Sequence, residues 1–277
     1  MPELPEVETI ACELQSCLIG RTITAVEIHW PRTIATPSPA EFKRRLSGQT
    51  VQGVGRRGKF LLVRLLGGAT LLIHLRMSGR LLLASPESSP EKHVRVVFFL
   101  DDESVLYFQD TRKFGRMWLV DDPQLVLDKL GPEPLSDDFT LEAFARLIAK
   151  RSGRLKPLLL NQSFLAGLGN IYADEALFRA RLHPCRQANS LDEAEISRLY
   201  HAIRQVLGEA ITRQGTTFDG SYQRVDGSSG DFQHSLRVYQ RTGEPCQNCS
   251  TAIERITLGG RGTHFCPRCQ PAPQGCP

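Results

Sequence analysis

The first twenty residues carry apolar side chains at Val7, Ile10, Ala11, Leu14 and Leu18. That three- and four-residue spacing predicts an amphipathic helix, with Gly20 as its stop. From Arg21 to Val120 the pattern changes to short apolar or alternating runs. The clearest are Lys59–Leu65, Thr70–Leu75, Arg80–Leu83, Val94–Leu100, Val105–Phe108 and Arg116–Val120. Gly67-Gly68 and Asp101-Asp102-Glu103 read as hairpin turns, and Pro86–Pro90 as a surface loop. Short strands joined by tight turns predict an antiparallel β-sandwich. Gly131-Pro-Glu-Pro134 stops both kinds of element and marks a domain boundary. Helical spacing follows: Leu141, Phe144, Leu147 and Ile148; a segment opening at Lys156; and Leu199, Ile203, Leu207 and Ile211 behind the capping-box spacing Ser190-Leu-Asp-Glu193. Thr216–Phe232, rich in Gly and Ser, reads as a mobile loop of lid type. The fold class is α+β, with the sandwich at residues 1–130, a linker at 131–135 and a helical domain with the loop at 136–232.

Composition narrows this picture. With 277 residues, 41% hydrophobic and 23% charged, the chain is long enough for two cored domains and reads as soluble. No run approaches a membrane span and no signal peptide is evident, so a cytoplasmic protein is expected. The net charge of +4 says little, but its placement says more. Phe42 to Pro86 holds nine basic residues and no acid; Ala143 to Ala173 holds five and none. Two such segments suit a polyanion held by two parts of one protein; solvated faces are the plainer reading.

The tail carries the sharpest local motif. Cys246-x-x-Cys249 and Cys266-x-x-Cys269 are separated by sixteen residues, the spacing of a four-thiolate zinc site on a β-hairpin at residues 237–271. Four thiolates leave no open position, so the metal is structural. Arg261, among Gly259, Gly260 and Gly262, falls at the hairpin tip, where it can enter a groove. Cys12, Cys17 and Cys185 read as buried thiols and Cys276 as an exposed one.

The start of the chain holds the most unusual candidate. Removal of Met1, favoured by a small second residue, would leave Pro2 as a secondary amine with a pKa of roughly 8. Such an amine condenses with a masked aldehyde to an iminium, an electron sink that needs no cofactor. Glu3 stands beside it to move a proton. The plain alternative is an ordinary Met-Pro start with an acidic first turn. Lys59 at a strand start, Met77 in His74-Leu-Arg-Met-Ser-Gly79, and Arg112 with Phe114 are candidates for a cleft; strand-edge charges and core fillers are the alternatives. A base next to an exposed aromatic is how proteins fill an opened base pair. Ala166-Gly-Leu-Gly-Asn-Ile171 places two glycines before a helix, where backbone N–H groups can approach a phosphate and Asn170 can cap the helix.

In their order along the chain these motifs resemble the formamidopyrimidine-DNA glycosylase family, the bacterial 8-oxoguanine DNA glycosylases. The resemblance runs through Pro2-Glu-Leu-Pro-Glu-Val-Glu-Thr9, Lys59, His74–Gly79, Glu91-Lys-His93, Arg112-Lys-Phe-Gly115, Gly131–Leu135, Gly167-Leu-Gly-Asn-Ile-Tyr172 and the cysteine finger. It implies a helix–two-turns–helix domain, one structural zinc, and damaged double-stranded DNA held between the domains with the lesion flipped out. It also implies Pro2 as nucleophile at C1′, Glu3 as the acid opening the sugar, Lys59 in β-elimination and Arg261 in δ-elimination. Met77, Arg112 and Phe114 would fill the hole left by the base, and His93, Lys150, Lys156 and Asn170 would contact phosphate. The Thr216–Phe232 loop would cover the flipped base.

The expected activity is therefore a bifunctional glycosylase and AP lyase acting on oxidised purines, by a monomer. Leu4 favours this over the endonuclease VIII branch, which prefers oxidised pyrimidines and typically has Gly there. A catalytically inactive DNA-binding module is the rival of a different class. The tail from Pro271 to Pro277 lies outside the family pattern.

Overall fold

The structure is a computed structural model and describes residues 1–85, 92–218, 220, 222–274 and 276. The expected loop at Pro86–Pro90, Glu91 of the Glu91-Lys-His93 motif, and residues 219, 221, 275 and 277 lie outside the described residues. The chain divides into two compact units, Met1–Asp128 with Ile211–Gln233, and Lys129–Ala210 with His234–Pro277.

The first unit opens with α1 (Leu4–Leu18), which begins with Pro5 in its first turn and ends before Gly20 at φ +81°. Its buried face includes Leu4, Val7, Ile10, Ala11, Leu14 and Leu18. Cys12 and Cys17 fall on the other side and are exposed, which corrects the expectation that they are buried. Strands β1 (Thr22–Ile28), β2 (Ile34–Thr36), β3 (Gln49–Arg57), β4 (Phe60–Leu65), β5 (Thr70–His74), β6 (Gly79–Ala84), β7 (Val94–Leu100), β8 (Val105–Asp110) and β9 (Arg116–Val120) form one sheet. Its order is β2-β9-β5-β4-β3-β1-β7-β8-β6. Every pair is antiparallel except β2 with β9. Short helices α2 (Pro39–Leu46) and α3 (Gln124–Leu127) complete the first stretch of the unit.

Leu61, Val63, Leu71, Ile73 and Met117 from one half of the sheet share a core with Phe98, Leu100, Leu106 and Phe108 from the other. Strands that far apart in the sheet order meet only because the sheet folds over itself as a sandwich, with Leu14 and Leu18 of α1 in the same core. Each fully buried Leu or Phe there contributes about 1.5–3 kcal/mol.

The second unit is helical: α4 (Leu141–Ala149), α5 (Leu155–Leu160), α6 (Asn170–Ala180) and α7 (Glu193–Thr212), the last ending in the first unit's numbering. The capping box of α7 is made by Asp192 and Glu195, with Glu195 N–H donating to Asp192 Oδ1 (2.7 Å) and Asp192 N–H to Glu195 Oε2 (3.1 Å). Ser190 instead turns to Arg186. Strands β10 (Glu254–Leu258) and β11 (Arg261–Phe265) form the hairpin of the finger. No helix among the described residues is long and apolar enough to cross a membrane.

Candidate active site and zinc centre

Pro2 and Glu3 are buried at the mouth of α1, while Met1 is exposed. Glu3 is the helix N-cap in extended conformation, and its backbone N–H donates to Glu6 Oε2 at 2.7 Å. The other oxygen of Glu6 accepts from Thr216 N–H at 2.8 Å. One buried carboxylate thus fixes both the start of the chain and the entry to the 216–232 loop. Beyond it, Tyr222 and Val225 lie in the sandwich core, Val225 N–H donates to Glu13, and Leu83 N–H donates to Val225 O. The loop is pinned at these points to the first unit, although it follows the helical domain in sequence.

Lys59 lies in the turn between β3 and β4 rather than in a strand, and is only 6% exposed. Across the sheet Phe60 pairs with His74, their rings edge to face. His74 is pushed down to about 3, first by burial and then by the charges of Arg76 and Lys59. Its Nδ1 accepts from Arg76 N–H at 3.0 Å, so the ring is neutral with its proton on Nε2.

Met77 follows β5 and is 39% exposed, and Phe114 follows β8 and is 47% exposed. The Arg112 guanidinium sits 5.0 Å over the Phe114 ring. Asp110 ties these two turns together. Its Oδ1 accepts from the Ser78 hydroxyl and, at 3.1 Å, from Arg112 N–H, and its Oδ2 accepts from Gly115 N–H at 2.7 Å. His93, at φ +75°, accepts Asp110 N–H with its carbonyl at 3.0 Å, and its Nδ1 lies 3.3 Å from the Arg95 guanidinium on β7. Asp110 is an organiser that the sequence reading missed; an acid two residues before a basic-aromatic pair is its signal.

In the second unit the hairpin turn is Gly259-Gly260, at φ +57° and +73°, which leaves Arg261 exposed at the tip. Around the neighbouring Gly262 carbonyl gather two of the expected phosphate ligands. Asn170 is not the helix cap: Gly169 holds that position, and Asn170 Nδ2 donates to Gly262 O at 3.1 Å. Lys156, expected from the resemblance to contact phosphate, is fully buried. Its Nζ lies 2.7 Å from Asp174 Oδ1 and donates to Gly262 O at 2.8 Å. Asp174 Oδ2 accepts from His264 N–H at 2.9 Å. The basic side chain is therefore drawn inward by a buried acid on α6, and it fixes the hairpin that presents Arg261. Lys150, at the end of α4, is exposed. Glu175, also unforeseen, accepts from the N–H groups of Arg237, Val238 and Tyr239 (2.9–3.0 Å) and sets the approach to the finger. Burial pushes its carboxyl up against those donors.

The four cysteine sulfurs are mutually close: 3.9 Å for Cys246 and Cys269, 3.5 Å for Cys249 with each of Cys266 and Cys269. Tetrahedral zinc with sulfur at about 2.3 Å requires roughly 3.8 Å between sulfurs. Backbone N–H groups of Asn248 and Cys269 point at Cys246 and Cys266 sulfur (3.4 Å each), the outer support that thiolates on a metal need. The donor set fits one structural zinc ion.

Residues 1–117 match the formamidopyrimidine-DNA glycosylase N-terminal domain, 130–221 its H2TH domain, and 243–272 the zinc finger found in FPG and IleRS. Formamidopyrimidine-DNA glycosylase of Symbiobacterium thermophilum is 50% identical, over 99% of this chain and 91% of that protein. The chain belongs to the formamidopyrimidine-DNA glycosylase family. The Herpetosiphon aurantiacus member is 47% identical over 98% of this chain and all of its own. A Lactococcus lactis FPG variant in complex with Fapy-dG-containing DNA superimposes with a TM-score of 0.91 at 38% identity, over 98% of this chain and 100% of that one. The same species' Fpg bound to abasic-site DNA gives 0.91 as well, at 38% identity and the same coverage. As a glycosylase of this family, the chain carries a DNA-binding fold with a zinc finger, and the α+β architecture read from its sequence matches those structures.

Proposed function

We propose that this glycosylase is bifunctional, excising oxidised purines from duplex DNA and then cleaving the strand as an AP lyase. The observation that carries the reading is the buried Pro2-Glu3 pair at the mouth of α1, its backbone held by Glu6. Once Met1 is removed, the Pro2 nitrogen attacks C1′ of the flipped nucleotide, the purine leaves, and an iminium links enzyme to DNA. Glu3 protonates the ring oxygen as the sugar opens. The iminium then acidifies C2′, and loss of that proton expels the 3′-phosphate by β-elimination, with Lys59 assisting. Arg261 grips the remaining phosphate and assists δ-elimination, which releases the strand end. Met77, Arg112 and Phe114 occupy the hole in the stack, with Asp110 holding both turns in register. His93, Lys150 and the N-terminus of α6 near Asn170 contact phosphates. Lys156 acts through the hairpin it fixes. The 216–232 loop covers the flipped base. The enzyme works as a cytoplasmic monomer on chromosomal DNA.

A relative's structure with Fapy-dG-containing DNA, and another with DNA containing carbocyclic 8-oxo-G, favour the purine lesion. The same Lactococcus lactis enzyme has also been solved with DNA carrying an oxidised pyrimidine, so pyrimidine lesions are the second reading. Borohydride trapping decides. The expected result is a covalent adduct on an 8-oxoguanine duplex that Pro2→Gly abolishes. Salt-sensitive binding without any adduct, on 8-oxoguanine or thymine glycol, would leave only a DNA-binding module.

A further inference from the structure

Cys185 and Cys276 lie 91 residues apart in sequence, yet their sulfurs are bonded and their Cα atoms are 6.0 Å apart. Neither residue belongs to the zinc finger or to the machinery described above. This pairing replaces the expectation of a buried thiol at 185 and an exposed one at 276. Cys185 is 3% exposed and Cys276 half-buried, so the pair is reached from the side of the tail. His183 adjoins both. Its Nδ1 accepts from Cys185 N–H at 3.2 Å and stands 3.6 Å from Cys276 sulfur.

The surroundings join the finger to the loop after α6. His183 packs edge to face on Phe265, the last residue of β11 (4.5 Å between centroids). Gln270, one residue past the last zinc ligand, donates to Leu182 O at 2.8 Å and accepts from Cys266 N–H at 3.0 Å. Pro184 O in turn accepts from Lys156 N–H at 3.2 Å. A bond between Cys185 and Cys276 therefore fastens the chain beyond the finger to the same loop that Gln270 and Phe265 already touch.

We propose that Cys185 and Cys276 are a reversible thiol-oxidation site, and that the closed bond keeps the finger on its loop when zinc is lost. A hydroperoxide supplies the oxidising equivalent. The Cys276 thiol loses its proton to solvent as its sulfur attacks the O–O bond; the departing alkoxide takes up a proton as an alcohol, leaving a sulfenic acid. Cys185 sulfur then attacks the sulfenic sulfur and water leaves with the Cys185 proton. Two thiols are oxidised and one hydroperoxide is reduced to alcohol and water. A dithiol reductant reverses the bond by exchange. Metal binding by the same three side chains is disfavoured by Nδ1 already accepting the Cys185 N–H, which leaves it no free lone pair.

The test uses the zinc-loaded full chain, reduced and then exposed to hydrogen peroxide or tert-butyl hydroperoxide. Peptide mapping is expected to find a 185–276 link that dithiothreitol removes, while the four finger cysteines keep their zinc. After chelation, hydrogen exchange across residues 243–270 is expected to be slower in oxidised wild type than in Cys276→Ser, by on the order of tenfold. Three results would overturn the proposal: Cys185 and Cys276 still alkylatable after peroxide; equal exchange in both proteins; or a second zinc per reduced chain that disappears in Cys276→Ser.

Discussion

Glu6 accepts the backbone N–H of Thr216 across 210 positions of sequence, and with its second oxygen it accepts that of Glu3. A carboxylate with two donors of this kind is worth about 1.5–3 kcal/mol per bond when buried. Glu6→Gln keeps the shape but presents one N–H group to another. We expect it to lower the melting temperature and to reduce excision roughly tenfold or more, measured under single turnover, with trapping on a pre-formed abasic site less affected.

Asp110 predicts a second outcome. Asp110→Asn replaces one of its acceptor oxygens by a donor facing either Gly115 N–H or the Ser78–Arg112 side. The loss should be about 2 kcal/mol of stability. Because Met77 and Phe114 are carried by the two turns it joins, discrimination between lesion and normal duplex should fall more than affinity for single-stranded DNA. Binding titrations with both substrates check this.

Removing Lys156 leaves Asp174 buried without its cation. Lys156→Met should cost about 3–5 kcal/mol and release the hairpin that carries Arg261. On the proposed mechanism the product should shift from δ- towards β-elimination, read directly from strand ends on a sequencing gel. Lys156→Met with unchanged stability and product ends would show that the pair does not hold the hairpin.

Zinc removal should unfold residues 243–270 in reduced protein and weaken DNA binding, while the sandwich keeps its own transition. Calorimetry before and after chelation would show one transition lost and one retained. Unchanged DNA affinity in zinc-free protein would contradict the structural role assigned to the finger.

His74 gives the pH prediction. Its pKa falls from 6.5 to about 3 on folding, so below 6.5 the unfolded chain binds a proton that the folded chain refuses. Stability is therefore lost as pH falls from 6.5 towards about 3, at up to about 1.4 kcal/mol per pH unit from this group. Denaturant unfolding at pH 7 and pH 5 should show a larger loss for wild type than for His74→Gln. An equal loss in both would remove His74 as the cause.

What was legible in the sequence follows from local pattern. β5, β7 and β9 announce themselves because Leu71, Ile73, Val96, Phe98, Met117 and Leu119 share one core and the intervening Leu72 and Val97 are buried as well. β1 and β3 do not, since Thr22–Ile28 buries few of its residues and Gln49–Arg57 mixes Gly53 and Gly55 with Arg56 and Arg57. α2 was likewise unread, with only Phe42 and Leu46 buried among its basic residues. The zinc ligands were readable from spacing alone. Inward-turned Lys156, by contrast, depends on Asp174 and on a glycine carbonyl 106 residues away, and the Cys185–Cys276 bond on a tail that no period connects. Motif spacing reports chemistry within a turn of chain; it is silent on which distant backbone a side chain meets.

The anchoring of Tyr222 and Val225 in the sandwich core has a consequence for biosynthesis. The first unit is interrupted by residues 129–210, which leave the ribosome before its last piece does. The nascent sandwich must wait with a gap in its core while a whole helical segment is translated. The helix that follows Pro2, although made first, gains its Thr216 and Val225 partners only near the end of translation. A truncated nascent chain would therefore present its first residues without the loop entry that steadies them, and completion of the polypeptide is what completes their surroundings.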